Sequence, residues 1–158
     1  MSSKKIIAIV GATEEKGIDL FHKTAKSESR FLLVSGEKEK LGTLINEYAI
    51  SHPHTETEVS DCVKNGCWEA DIIIIAVSDF DEEERFGLMK EVATQKIVVT
   101  LSDNYDYIKK IHQKLPFSKL VNVDSSNAEN LIIQGEDEEA VREIRTIFSA
   151  AAINELHK

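Results

Sequence analysis

The sequence has few cysteines, no excess of basic residues and no long apolar run. Cys62 and Cys67 are its 2 cysteines, too few for a disulfide framework. With His52 and His54 they make a conceivable metal set. Their spacing is not that of a short zinc pair, however, and a strand is expected between the histidines and the thiols. Reduced thiols and loop histidines are therefore the reading, and no metal is expected. The 28 acidic side chains outnumber the 19 lysines and arginines and leave a net charge of −9. That balance argues against nonspecific nucleic-acid binding and against anionic membrane surfaces. Residues 72–77, the run Ile-Ile-Ile-Ile-Ala-Val, are strand-length and far short of a membrane span. Met-Ser-Ser-Lys-Lys leads straight into an apolar run without a signal-peptide pattern, so a cytoplasmic location is expected. No internal repeat, low-complexity segment or interdomain linker is visible.

What is present fits one globular unit. A chain of 158 residues with 42% hydrophobic and 30% charged content suits a single domain over residues 1–158, with one core and a hydrated surface. Residues 4–10 read as a strand apolar on both faces, which belongs inside a parallel sheet covered by helices. A helix over 14–26 follows, then a strand over 31–35 and a helix over 38–48. Short segments at 55–59 and 60–67 read as a strand and a helix. The central strand spans 70–77, and an acidic helix start at 81–84 is read as a solvated face. A buried strand is read over 96–101, then a helix to about residue 113. Strands at 120–123 and 130–134 precede a final helix to about residue 150, with Ala140, Val141, Ile144, Ile147 and Phe148 on one face. Ile147, Phe148, Ala151 and Ile153 suit either burial against the sheet or the face of a homo-oligomer. Strands alternating with helices predict an α/β, doubly wound, mostly parallel sheet of Rossmann type in a single domain.

The stretch that organises this pattern is Gly11-Ala12-Thr13-Glu14-Glu15-Lys16-Gly17. An apolar strand stops at a glycine and a helix begins, as at a dinucleotide pyrophosphate site. The helix start offers free N–H groups and a positive dipole end. A Gly-x-x-Gly-x-x-Gly turn would have glycine at position 14. Glu14 instead places a carboxylate beside an anionic ligand. One such like-charge pair at ~4 Å costs about 4 kcal/mol at an effective dielectric of ~20, before rotation and salt reduce it. The simpler reading makes Glu14 and Glu15 first-turn acids that stabilise the helix dipole.

Ligands in this architecture bind at the carboxyl ends of the strands. Here those ends are 11–14, 35–40, 77–80 and 102–105. The end of the second strand chooses between cofactors: an acid holds a free ribose, whereas a serine and an arginine receive a 2′-phosphate, and no arginine occurs over 35–40. Ser35-Gly36-Glu37-Lys38-Glu39-Lys40 offers a hydroxyl and two lysines. Glu37 would instead favour NAD, and a solvated, mixed-charge helix start is the bland alternative.

Residues 6–17, 33–40 with Glu47-Tyr48, 70–77, 96–99 and 135–140 together resemble the NADP oxidoreductase, coenzyme F420-dependent family. The resemblance implies that Gly11, Thr13 and Gly17 keep the pyrophosphate turn. It implies that Ser35 and Lys40 are the phosphate-binding serine and lysine, and that Val77 lies on the nicotinamide side. The departures fall at the site. Glu14 replaces a glycine, Gly36 an arginine and Ser78 a proline, and Asn104-Tyr105 stands where Asn-Pro is expected. The segment between Val121 and Leu131 is shortened, and the C-terminal part that helps form the deazaflavin side has no counterpart.

The expected cofactor contacts are thus Gly11, Ala12, Thr13, Glu14, Lys16, Gly17, Ser35, Gly36, Lys38, Lys40, Val77 and Ser78. The expected cofactor is NADP, with NAD open through Glu37. No catalytic residue is expected, because hydride transfer between two cofactors needs binding and orientation rather than an acid or base. Tyr105 and Lys109 have a Tyr-x-x-x-Lys spacing but read as ordinary helix-surface residues. Trp68 reads as a packing residue. Two functions remain open: an NADP(H)-dependent oxidoreductase with a deazaflavin, flavin or small-molecule partner, or a non-catalytic nucleotide-sensing or interaction module with a disabled site.

Overall fold

The computed structural model describes residues 5–25, 29–60, 63–76, 89–102, 104–124 and 132–156; the side chains of 63, 64 and 149–156 lie outside that description. The elements in chain order are β1 (Lys5–Val10), α1 (Glu15–Thr24), β2 (Ser29–Val34), α2 (Lys38–Ser51), β3 (Glu56–Ser60) and α3 (Val63–Trp68). β4 (Ile72–Ile75), β5 (Ile97–Thr100), α4 (Tyr105–Lys114), β6 (Lys119–Asp124), β7 (Ile132–Gly135) and α5 (Glu138–Leu156) follow. Residues 89–92, just before β5, are also helical.

The strands form one seven-stranded sheet in the order β3-β2-β1-β4-β5-β6-β7. Every neighbouring pair is parallel except β6 and β7, which are antiparallel. The chain runs outward from β1 to β3, returns to the centre and runs outward again from β4. The order therefore reverses between β1 and β4, the switch point of a doubly wound sheet.

Apolar strands with alternating faces explain why this sheet has two covered sides. Ile7, Ile9, Phe31, Leu33, Ile72, Ile74, Val99 and Val121 pack with Leu20 and Phe21 of α1, Leu41, Leu44 and Tyr48 of α2, and Ile144, Ile147 and Phe148 of α5. The alternate residues Ala8, Val10, Leu32, Val34, Ile73, Ile75 and Val98 pack on the other side with Cys67, Met89, Val92, Ile111 and Leu115. Burial against the sheet, not an exposed oligomer face, thus accounts for Ile147 and Phe148. The expectation for Ala151 and Ile153 falls outside the described side chains.

One expectation is corrected. Trp68 does not pack; its side chain is 67% exposed. It ends α3, where the Lys96 ammonium takes its carbonyl at 2.6 Å and that of Cys67 at 2.6 Å. The backbone is anchored and the neighbouring Cys67 fills the core position, so the indole is left at the solvent edge. No helix among the described residues is long and apolar enough to cross a membrane.

Candidate functional site

The register brings the candidate loops to one edge. Val10 pairs with Val34 on one side and Ile75 on the other, so Gly11, Ser35 and Ala76 leave the sheet side by side. The N–H groups of Gly11 and Ala12 both donate to Val34 O, at 3.0 and 3.1 Å, and Ala76 N–H donates to Val10 O at 2.8 Å. Ser35 N–H donates to Ser60 O at 3.1 Å. These bonds extend the ladder one step and hold the loop starts rigidly.

Gly11 has φ 87°, a conformation that a side chain would strain. It turns the chain so that α1 starts directly above the strand. Gly17 then sits against the turn: a Cβ there would lie 2.5 Å from Gly11 O. The two glycines of the motif therefore serve different ends, one a dihedral angle and the other a close approach.

Glu14 is the N-cap of α1 and makes no side-chain capping bond. Its N–H donates to Gly11 O at 3.0 Å, closing the turn, and its carbonyl accepts from Ile18 N–H at 2.9 Å. The amide at this position is thus turned inward rather than offered to a ligand. One carboxylate oxygen, Oε2, is buried and has no hydrogen-bond partner among the described residues. Glu15, Lys16 and Gly17 follow in the first turn, where backbone N–H groups have no intrahelical acceptor.

Thr13 is buried, and its hydroxyl shares a 2.8 Å hydrogen bond with that of Ser35. Ser35 Oγ also accepts from Glu37 N–H at 3.1 Å. The turn after β1 and the loop after β2 are therefore joined through two hydroxyls. If Thr13 donates, the Ser35 proton remains for a ligand oxygen. Nothing lies within 4 Å of a Cβ added at Gly36, so a side chain there would extend into open space. Lys38 and Lys40 lie exposed in the first turn of α2. Val77 and Ser78, like Asp79 and Phe80, lie outside the described residues.

Lys16 leaves the turn altogether. Its ammonium donates to Leu101 O, beyond β5, at 3.3 Å. The loop that it touches is ordered by Asn122 of β6. Asn122 Oδ1 accepts from Thr100 Oγ1 at 2.7 Å and from Ser102 N–H at 3.2 Å, and its amide donates to Ser102 O at 2.8 Å. Asn104 caps α4 by accepting from Asp106 and Tyr107 N–H groups, while its own N–H donates to Ser102 Oγ at 3.0 Å. Sequence reading missed Asn122. Its signal was an amide inside the apolar run Leu-Val-Asn-Val. Tyr105 is 75% exposed, as the helix-surface reading has it.

Away from this edge, His22 Nδ1 and His52 Nε2 lie 2.9 Å apart. They join the far ends of α1 and α2 beside the stacked rings of Phe21 and Tyr48, whose centroids are 4.0 Å apart. Among the described residues no three metal-ligating side chains come together.

No family model matches the chain, and no curated protein matches it by sequence. Solved structures do match in fold. A diketoreductase is 16% identical, with a TM-score of 0.72 over 96% of this chain and 62% of that one. An Arthrobacter protein described as an F420-dependent NADP reductase is 15% identical, with a TM-score of 0.66 over 94% of this chain and 81% of that one. Plasmodium falciparum pyrroline carboxylate reductase, solved with NADP bound, is 14% identical, with a TM-score of 0.66 over 96% and 56%. The chain thus spans less than two thirds of the diketoreductase and of the pyrroline carboxylate reductase. These likenesses establish the fold: the chain is a Rossmann-like α/β domain.

Proposed function

We propose that this domain binds a nicotinamide dinucleotide, NADP ahead of NAD, at the β1/β4 switch point and serves NADP(H)-dependent hydride transfer. The observation that carries the reading is the 2.8 Å contact between Thr13 and Ser35. It sets a hydroxyl of the pyrophosphate turn against one at the ribose end of the same edge. The two-glycine turn and the open space at Gly36 fit a dinucleotide. In this reading Gly11–Thr13 and the first turn of α1 hold the pyrophosphate. Ser35, Lys38 and Lys40 take the 2′-phosphate. The bound cofactor supplies the hydride chemistry, while the protein binds, orients and excludes water. The F420-dependent resemblance makes a deazaflavin one candidate for the hydride partner; a flavin or a small carbonyl compound are the others.

Calorimetric titration with NADPH, NADP and NADH tests this. Micromolar NADPH binding, about −8 kcal/mol, with weaker NADH binding supports it; no binding of any of the three refutes it.

One observation favours a second reading, a dinucleotide-fold module with a disabled site. The Glu14 N–H is spent within the turn, and its Oε2 is buried without a partner beside the phosphate position. A Glu14→Gly, Gly36→Arg double variant separates the two. Binding by the variant alone means that those substitutions disabled the site.

A further inference from the structure

A cavity of about 520 Å³ lies between α4, β6 and the turn from β7 into α5. It falls within the range of small-molecule sites, about 300–1,000 Å³. Its origin is in the packing. α4 turns Ile111 and Leu115 onto the sheet. Tyr105, Lys109 and His112, at helical spacing, line the cavity instead. Among the described residues, β7 adds nothing to the buried cluster on this side of the sheet, whereas its Ile133 packs on the other. The sheet beside α4 is thus left open, with Ile108 and Leu120 as its apolar lining.

The charged groups in this lining are of both signs. Residues 107–123 hold four lysines and no acid, whereas residues 136–139 are all acidic. Lys109, His112 and Lys119 come from the first stretch and Glu136 and Asp137 from the second. Among the described residues no ion pair joins them, and the side chains of Lys109, Lys119 and Glu136 make no hydrogen bond. Asp137 is engaged in part, since its Oδ1 accepts from Ala140 N–H at 2.9 Å as α5 begins. Opposite charges that share a cavity without meeting leave room for a ligand that meets both. An anion would face the two carboxylates and a cation the two ammoniums, whereas a zwitterion is attracted by each.

We propose that this cavity binds a zwitterionic amino acid with an apolar side chain. The ligand's carboxylate goes to Lys109 and Lys119 and its ammonium to Glu136. Its side chain contacts Ile108 and Leu120, and Tyr105, 75% exposed, offers a ring to cover. The Tyr105 and Lys109 spacing then serves binding rather than proton transfer. Ser118 and Lys119 put part of the cavity at the amino end of β6. Since β6 runs parallel to β5, that end is opposite the edge that carries Gly11 and Ser35. The proposal goes beyond the dinucleotide reading and does not rest on it.

The probe is phenylalanine, titrated into the full chain with amide-resolved NMR. Beside it are N-acetylphenylalanine, which lacks the ammonium, and phenylalaninamide, which lacks the carboxylate. Phenylalanine is expected to bind and to shift amides of α4, β6 and the turn into α5. Each blocked form is expected to bind at least tenfold more weakly, a comparison that needs no substitution. Lys109, Lys119 and Glu136 are exposed, so their variants should melt as the wild type does. Glu136→Gln is expected to remove the preference over the N-acetyl form. A Lys109→Gln, Lys119→Gln double variant is expected to remove the preference over the amide. No binding of phenylalanine overturns the proposal, as does equal binding of either blocked form. Shifts confined to other parts of the sheet, or variants that bind as the wild type does, also overturn it.

Discussion

The hydroxyls of Thr13 and Ser35 stand 2.8 Å apart, tying the turn after β1 to the loop after β2. Because Thr13 is buried, removing its partner strands a polar group. Ser35→Ala is therefore expected to cost about 1–3 kcal/mol of stability, read as a lower midpoint in urea denaturation. On the proposed dinucleotide reading it also removes the hydroxyl offered to a 2′-phosphate. NADPH affinity should fall about tenfold, with NADH affinity much less affected. Equal losses for both nucleotides would place Ser35 in the scaffold alone.

Gly17 and Gly36 make opposite predictions. A methyl group on Gly17 meets a backbone oxygen at 2.5 Å, which cannot move without shifting the turn. Gly17→Ala should destabilise the domain by about 2 kcal/mol and weaken any ligand at the turn. Gly36 has nothing within 4 Å. Gly36→Arg should leave thermal stability unchanged and strengthen NADPH binding about tenfold, through a bidentate contact with the phosphate. Paired thermal melts and titrations on the two variants check both.

The strands were legible because burial on both faces leaves a continuous apolar run, as in 6–10 and 72–75, and the turn was legible because Gly11 and Gly17 flank it. Helix ends were less so. α2 was expected to stop near Tyr48 but continues to Ser51, since the Pro53 restraint acts on His52 and no further back. Trp68 was misjudged because aromatic size favours burial on average, whereas here the neighbouring Cys67 takes the core position and Trp68 ends α3 exposed. The same limit applies at the site. Lys16 to Leu101, Thr13 to Ser35 and Thr100 to Asn122 are contacts between segments distant in sequence, set by strand order and register rather than by local pattern. A sequence shows which residues share an edge, but not which of them touch.

Lys96 anchors the end of α3 through two carbonyls, each at 2.6 Å. Burial pushes its ammonium below the usual lysine value, against the pull of Cys67 and Asp71. Lys96→Met keeps the aliphatic stem and removes both charged bonds; Cys67 O keeps the Ala70 N–H at 3.2 Å, while the Trp68 carbonyl loses the ammonium. A loss of about 2 kcal/mol is expected. Hydrogen exchange should localise it, with α3 amides losing protection before those of β1. Uniform loss across the sheet would instead mean that α3 unfolds only with the whole domain.

Tyr48 gives the alkaline limit of the fold. It stacks on Phe21 in the core at 2% exposure, and its hydroxyl has no partner among the described residues. Burial, with the nearby Glu47 charge, pushes the phenol from 10.0 up to about 12. A phenol is neutral when protonated, so between those values the native state holds a proton that the unfolded chain has released. Stability must therefore fall as pH rises from 10.0 towards about 12, by a total of about 3 kcal/mol. Lys96 works in the opposite sense, since its lowered value makes the unfolded chain the better proton binder below 10.5. Tyr48→Phe isolates the phenol from that background. It should raise stability by about 1 kcal/mol at neutral pH by removing an unsatisfied hydroxyl. It should also make the urea midpoint fall less steeply above pH 10 than in wild type. If the variant and wild-type midpoints run parallel through that range, the phenol has a solvent partner and its pKa is not governed by burial.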